Sequence, residues 1–199
     1  MTPRQLTEAF LPAIEYGPET HPRTHLEEAG YAPEDVDYVI MTHLHSDHAG
    51  QIGTFRDARF IVQQRELRYA HWPVPVQDVF YLEGDFDTLR SAEYDVTPLA
   101  GEYDVFGDGS VRTFPTPGHT PGHQSVVVEL PETGTVILGA DVAHRQDGYD
   151  REHLASFNWD LSESLASLRD VKARARRTDA EVFVTHDNDH IDAFAGGLE

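Results

Sequence analysis

Four apolar runs in this chain each end at a histidine or an aspartate, and this recurrence limits the possible folds more than any other feature. The run 37–42 leads into the hexapeptide HLHSDH at residues 43–48, which holds three imidazoles and one carboxylate. Three later β-branched runs lead to single ligand-type side chains, His119, Asp141 and His186. We expect each run to be a buried strand. An α/β domain whose strand ends lie together would bring these side chains to one place.

The chemistry of these side chains favours a first-row transition metal. Neutral imidazole and carboxylate are good zinc ligands, and in an extended chain His43 and His45 project to the same side. The candidate ligands are His43, His45, Asp47, His48, His119, Asp141 and His186. This set is too large for one tetrahedral zinc and suits two zinc ions that share a bridging carboxylate. Manganese, iron and cobalt accept similar ligands and stay open.

The composition excludes several other kinds of protein. The chain has 199 residues and no cysteine, so disulfides, thiolate metal sites and a thiol nucleophile are ruled out. With 15 basic and 35 acidic residues, its formal net charge of −20 disfavours nucleic acid as a partner. No apolar run approaches the roughly 18 residues that a membrane span needs, and no secretory signal is visible. We therefore expect a cytoplasmic protein without a membrane partner.

The acidic character also suggests the source environment. Lys172 is the single lysine against 14 arginines, and an acid-rich, lysine-poor composition is typical of proteins adapted to high salt, where repulsion among like charges is screened. A halophilic origin is one hypothesis. A GC-biased genome, which also favours arginine over lysine, is the other.

Local patterns predict the main elements of a single domain over residues 1–199. Residues 1–20 are expected to be irregular, and a short helix is expected over 25–29. Residues 125–130 and 135–138 form a predicted hairpin, because a proline and a glycine bound the intervening turn. Residue 160 is expected to cap a helix that runs to about residue 177. The stretch 72–110 is rich in glycine and proline and is expected to hold two or three short strands.

These segments resemble the metallo-β-lactamase superfamily. The resemblance rests on four motifs in the family's order: THLHSDHAG at 42–50, TPGHTPGHQS at 116–125, LGAD at 138–141 and VTHD at 184–187. The second motif is most similar to that of the N-acyl-homoserine lactonase branch. The resemblance implies an αββα sandwich with two zinc ions. It also implies a metal-dependent hydrolase that opens a lactone or another ester of small size.

The resemblance further assigns roles to the ligand residues. It gives His43, His45 and His119 to the first metal, gives Asp47, His48 and His186 to the second, and makes Asp141 the bridge. Asp47 is also expected to take up the proton that passes to the leaving alcohol, since a coordinated carboxylate keeps a lone pair. His123, which lies in the second half of its motif, is expected to support a metal ligand or to have a structural role.

The chain departs from the lactonase pattern in two places. A tyrosine that hydrogen-bonds the substrate carbonyl is expected three residues after the bridging aspartate, and here that position is His144. Imidazole can also donate to an oxyanion, so His144 is a candidate catalytic residue, and Tyr149 is a second candidate for the tyrosine's role. The family's N-terminal strand pair is expected to be missing or reduced. A sheet edge exposed in this way would favour a homodimer.

Alternative functions remain compatible with the motifs. The closest is a thioester hydrolase of the glyoxalase II type, although Arg145 is the only basic residue suited to glutathione soon after Asp141. A β-lactamase, a nucleic-acid phosphodiesterase and an iron dioxygenase share parts of the ligand set. The alternative from a different class is a degenerate, noncatalytic metal-binding module.

Overall fold

A computed structural model of the chain describes Gly17 and residues 20–187. Its internal contacts divide the chain into two compact units. The first unit comprises residues 1–62 and 67–98, and the second comprises residues 63–66 and 99–199. The irregular segment and the shortened strand pair predicted near the N-terminus lie almost wholly outside the described residues. The single-domain organisation over residues 1–199 stays a prediction.

The first unit is built around a small sheet. Its elements are α1 (Pro22–Glu28), β1 (Tyr38–Ile40), α2 (Ser46–Ala49), β2 (Arg59–Gln63), α3 (Gln64–Ala70), α4 (Glu83–Phe86) and β3 (Asp95–Leu99). Residues 63–66, at the end of β2 and the start of α3, and Leu99 at the end of β3 are counted with the second unit. The strand order is β1-β2-β3, and β1 pairs with β2 in parallel, with Ile40 opposite Ile61. Four successive residues of β2 are buried, as expected of a strand within a parallel sheet. Its Phe60 and Val62 belong to a core cluster that also contains Leu44, between the first two ligand histidines.

The second unit contains a larger mixed sheet. Its elements are β4 (Tyr103–Asp104), β5 (Val111–Pro115), β6 (Gln124–Leu130), β7 (Gly134–Ala140), α5 (Gln146–Arg151), α6 (Leu161–Thr178) and β8 (Glu181–Val184). The order is β4-β5-β6-β7-β8, with antiparallel pairs up to β7 and a parallel pair between β7 and β8. The predicted hairpin is confirmed by the β6–β7 pair.

Helix α6 supplies much of the second unit's core. Asp160 caps its N-terminus, because its carboxylate accepts hydrogen bonds from the backbone N–H groups of Ser162 and Glu163. Leu168 and Val171 are fully buried at helical spacing and pack with Phe114 and Ile137 of the sheet. This packing fixes the strand ends β5, β7 and β8, which lead to the remaining predicted ligands.

One predicted helix boundary differs from the structure, whereas the two or three short strands predicted for 72–110 agree with it. Helix α1 begins at Pro22 rather than at residue 25, because proline favours the first helical position and the ring of His21 accepts a hydrogen bond from Arg23 N. The stretch 72–110 contains two short strands, β3 and β4, together with 3₁₀ turns such as Asp78–Phe80. Among the described residues, no helix is long and apolar enough to cross a lipid bilayer.

Candidate metal centre

Four of the seven predicted ligands lie in the first unit, just after strand β1. His43 and His45 are almost fully buried, whereas Asp47 and His48 lie in the short helix α2. The ring centroid of His43 is 4.6 Å from that of His45 and 4.1 Å from that of His48. The Nε2 atom of His48 is 3.6 Å from Oδ2 of Asp47. The rings of His45 and His48 thus both lie close to that of His43, and the role of these imidazoles as metal ligands stays a prediction.

Aromatic and hydroxyl groups orient the two buried imidazoles. The ring of His45 packs against Phe80 and Tyr81, at centroid distances of 5.1 and 4.7 Å. Nδ1 of His43 lies 3.2 Å from the hydroxyl oxygen of Thr42. Both imidazoles are thus held in fixed positions by residues of the first unit, as a preorganised metal site requires.

In the second unit, three imidazoles converge on the carboxylate of Asp141, and two of them, those of His119 and His186, are predicted ligands. Oδ2 of Asp141 is 3.3 Å from Nε2 of His119, 3.5 Å from Nε2 of His144 and 3.5 Å from Nε2 of His186. The side chain of Asp141 is only 3% exposed, so its charge is largely shielded from water. Three chain segments, which follow β5, β7 and β8, thus bring imidazole nitrogens to a single buried oxygen.

Strained backbone places two of these ligands. Ala140 has a φ of 48° and His186 has a φ of 62°, in the left-handed region that non-glycine residues seldom adopt. The β7–β8 pairing shifts register between Leu138 and Ala140, and Val142 N donates to Gly139 O to close a tight turn around Asp141. Such conformations persist where surrounding contacts enforce them and are concentrated at functional sites.

A chain of hydrogen bonds fixes the tautomer of His119. The hydroxyl of Ser164 donates to Asp160 O at 2.7 Å, so its oxygen accepts from Nδ2 of Asn158 at 2.9 Å. The amide oxygen of Asn158 therefore faces Nδ1 of His119 at 3.0 Å, and this nitrogen carries the proton. In the neutral ring, Nε2 of His119 then presents a lone pair to Asp141.

This arrangement fits a bound cation. Neutral Nε2 and a carboxylate oxygen are both acceptors, and two acceptors 3.3 Å apart are held together favourably when a cation lies between them. The support of His119 by Asn158 is also the kind of outer hydrogen bond that orients metal-ligating imidazoles in proteins. The donor atoms of His119, Asp141 and His144 all lie within 4.8 Å of one another.

His123 connects two segments that carry candidate ligands. Its Nε2 accepts a hydrogen bond from the backbone N–H of Asp141 at 3.1 Å, so the proton of the neutral ring is on Nδ1. Nδ1 lies 3.1 Å from Thr116 O and 2.8 Å from Thr116 Oγ1, and it donates to this residue. The imidazole of His123 therefore has both nitrogens in protein hydrogen bonds, as its predicted structural role requires.

His144 and Tyr149, the two candidates for the role of the lactonase tyrosine that binds the substrate carbonyl, are placed differently. The ring of His144 stacks on that of His186, with centroids 5.3 Å apart, and packs edge-on against Phe157 at 5.0 Å. Tyr149 instead belongs to the hydrophobic core of the second unit, where burial raises the pKa of its phenol to about 12. The structure thus places His144, and not Tyr149, beside the Asp141 carboxylate.

Several supporting residues carried no sequence signal that identified them. Asn158 and Glu66 lie 39 and 54 residues from the groups with which they hydrogen-bond, and neither is part of a ligand motif. That the group at residues 43–48 and the group around Asp141 form one centre stays a prediction.

An α/β chain with imidazoles gathered around a buried carboxylate has the donor set of a metal-binding protein. The family model of the metallo-beta-lactamase superfamily matches residues 8–186. The chain therefore belongs to this superfamily, and the predicted fold class is confirmed.

The similar proteins include characterised enzymes and their structures. The chain is 39% identical over 167 residues to the N-acyl homoserine lactonase AttM of Azorhizobium caulinodans, a match that covers 83% of this chain and 63% of that protein. It is 33% identical over 165 residues to an N-acyl homoserine lactonase of Bacillus cereus, covering 82% of this chain and 61% of the relative. The chain thus spans about three fifths of the length of these relatives.

A solved N-acyl homoserine lactone hydrolase has a similar fold. It superposes with a TM-score of 0.77 at 27% identity and covers 90% of this chain and 67% of its own. That structure holds the product N-hexanoyl-L-homoserine at its catalytic metal centre.

Proposed function

We propose that this chain is a dinuclear zinc hydrolase that opens the ring of an N-acyl homoserine lactone or a related ester. The observation that carries the proposal is the convergence of imidazole Nε2 atoms on the buried carboxylate of Asp141, with the tautomer of His119 fixed for coordination. The identity of 33–39% to N-acyl homoserine lactonases supports the choice of substrate.

The proposed ligands are the seven side chains that the sequence predicts. They are His43, His45, Asp47, His48, His119, Asp141 and His186. Asp141 suits a bridging role, because its Oδ2 has imidazoles from separate chain segments within 3.5 Å. When bound, two divalent cations would polarise a carbonyl group and lower the pKa of water to about 7.

The chain's own residues would direct the proton transfers. Ring opening adds the oxygen of water to the acyl carbon, breaks the ring C–O bond and transfers one proton to the departing alkoxide. Asp47 is suited to carry this proton, because its side chain is about half exposed and a carboxylate accepts and releases protons readily. Its neighbour His48, 3.6 Å away, would help to hold the carboxylate in place.

His144 is suited to bind the carbonyl oxygen of the substrate. Its side chain is 27% exposed, so one face can reach a ligand, while Phe157 and His186 hold the ring between them. An imidazole N–H directed at a developing oxyanion stabilises the transition state more than the ground state. The expected result of replacing His144 by alanine is a lower kcat with a smaller effect on KM.

The direct test is a panel of lactones and thioesters assayed on protein of measured metal content. We expect about two zinc ions per chain, hydrolysis of an N-acyl homoserine lactone, and loss of this activity on chelation with recovery on zinc addition. The Asp141→Asn variant should bind less zinc, because an amide is a poorer ligand than a carboxylate.

Three results would redirect the proposal. Faster cleavage of glutathione thioesters than of lactones would favour the glyoxalase II type. Zinc binding without hydrolysis of any ester would favour a noncatalytic module. Full activity of Asp141→Asn at wild-type zinc content would contradict the bridging role.

A further inference from the structure

Glu66 is a fully buried carboxylate that the proposed reaction does not use. Its exposed fraction is 0%, and acidic side chains are seldom buried this completely unless they are paired. Glu66 lies in helix α3, within the short segment 63–66 that belongs to the second unit. The position of this charged group calls for a physical reason, since burial of an ionised carboxylate without partners is costly.

The carboxylate of Glu66 binds the loop that follows His119. Its Oε2 accepts a hydrogen bond from the hydroxyl of Thr120 at 2.6 Å and another from the backbone N–H of Gly122 at 3.1 Å. The shorter distance is within the range of O–H···O⁻ bonds, which are about twice as strong as neutral ones. Thr120 is itself fully buried, so water does not compete for its hydroxyl.

The loop and the helix touch at the backbone as well. A Cβ atom added at Gly122 would lie 2.1 Å from N of Glu66 and 2.4 Å from its Cα. Only glycine allows this approach, so the loop has little freedom to move toward the helix. A neighbouring contact strengthens the attachment, because Nε2 of Gln63 donates to Oε1 of Gln124 at 2.9 Å.

Further hydrogen bonds hold the His119 loop. Gly118 N donates to Thr120 O at 2.9 Å, and Trp159 N donates to His119 O at 3.0 Å. Asn158 holds Nδ1 of the ring. The contacts of Glu66 complete this set, because they fix the residues on the C-terminal side of His119, where the loop has no regular secondary structure.

We propose that Glu66 is a positioning residue for the metal site: its buried carboxylate fixes the Thr120–Gly122 turn and thereby keeps Nε2 of His119 at its place beside Asp141. The inference rests on the proposed function in that the His119–Asp141 pair is taken to bind metal. Groups that orient metal ligands in this way are typically worth 10–100-fold in metal affinity.

The test measures zinc affinity by competition with a chromophoric chelator, alongside thermal unfolding and the kcat and KM for a lactone. The Thr120→Val variant removes the donor hydroxyl at nearly constant volume, and Thr120→Ser restores it. Glu66→Ala removes the acceptor, whereas Glu66→Gln keeps an acceptor oxygen without the charge. Glu132→Gln, at an exposed position in the β6–β7 turn, is the matched control.

We expect Thr120→Val and Glu66→Ala to weaken zinc binding by about 10–100-fold, with substantial recovery in Thr120→Ser and Glu66→Gln and no change in the control. In the lactone assay, Thr120→Val and Glu66→Ala should lower kcat more than they raise KM. Wild-type zinc affinity in a folded Thr120→Val variant would overturn the inference, whatever its melting temperature. If Glu66→Ala does not fold, the Thr120 pair still decides the question.

The outcomes separate this inference from the proposed function. If the wild type binds zinc but cleaves no lactone, the zinc affinities of the variants still test Glu66. If lactone cleavage is confirmed and all variants bind zinc equally well, the function stands and the role of Glu66 is rejected.

Discussion

Replacement of His123 by leucine tests how the Asp141 turn is held. The imidazole accepts from Asp141 N at 3.1 Å and donates through Nδ1 to Thr116, and the whole side chain is buried. Leucine has a similar volume but offers neither an acceptor nor a donor. The strained turn that begins at Ala140 would therefore lose the side-chain contact that ties it to the His119 loop.

The size of the expected loss in stability follows from the polar groups that the substitution leaves unpaired. The N–H of Asp141 and the acceptor oxygens of Thr116 would lose a buried partner, and each such loss costs about 1–3 kcal/mol. We therefore expect the free energy of unfolding of the metal-free protein to fall by about 2–5 kcal/mol. We also expect zinc affinity to fall by about 10–100-fold, because the Asp141 carboxylate would no longer be fixed.

Urea unfolding of the metal-free protein, followed by zinc titration under native conditions, measures both effects. His123→Gln is the matched control, because the amide oxygen of glutamine can accept from Asp141 N, and it should recover part of each loss. An unchanged urea midpoint together with unchanged zinc affinity in His123→Leu would refute the reasoning, since the two hydrogen bonds would then contribute nothing.

Three further predictions concern packing, pH and salt. In urea unfolding, Gly118→Ala should destabilise the protein far more than Gly30→Ala. The reason is that a Cβ atom at Gly118 would lie 2.2 Å from Ser164 N, whereas one at Gly30 meets no atom within 4 Å. Equal losses of stability in the two variants would contradict this packing argument. Burial raises the pKa of Tyr149 to about 12, above the value of about 10 for an exposed tyrosine, so the folded state favours the neutral phenol. The free energy of unfolding should therefore decline as the pH rises from about 10 toward 12. In melting curves measured over this pH range, Tyr149→Phe should lose less stability than the wild type. With a net charge of −20, the melting temperature should rise from low to multimolar potassium chloride, and a flat response would reject the halophilic hypothesis.

Local sequence determined most of the strands and helices and the segments that carry the candidate ligands. The apolar runs that precede residues 43, 119, 141 and 186 predicted strands, and the structure contains β1, β5, β7 and β8 there. This succeeded because strand burial leaves a pattern of side-chain types in consecutive residues. The position of Asp160 likewise predicted the start of α6, since a helix cap involves residues two and three positions away.

The sequence by itself thus determined which side chains could bind metal and which strands would carry them. Tertiary structure decided how those side chains are held: Asn158 reaches His119 across 39 residues, Glu66 reaches Thr120 across 54, and His123 reaches the backbone of Asp141 across 18. The physical reason is that a hydrogen bond is defined by the direction and distance of two groups in space, and neither is encoded in the periodicity of nearby residues. The placement of His144 and Tyr149 was decided in the same way: the segment after β7 brings His144 beside the Asp141 carboxylate, whereas Tyr149 lies in helix α5 and is buried in the core.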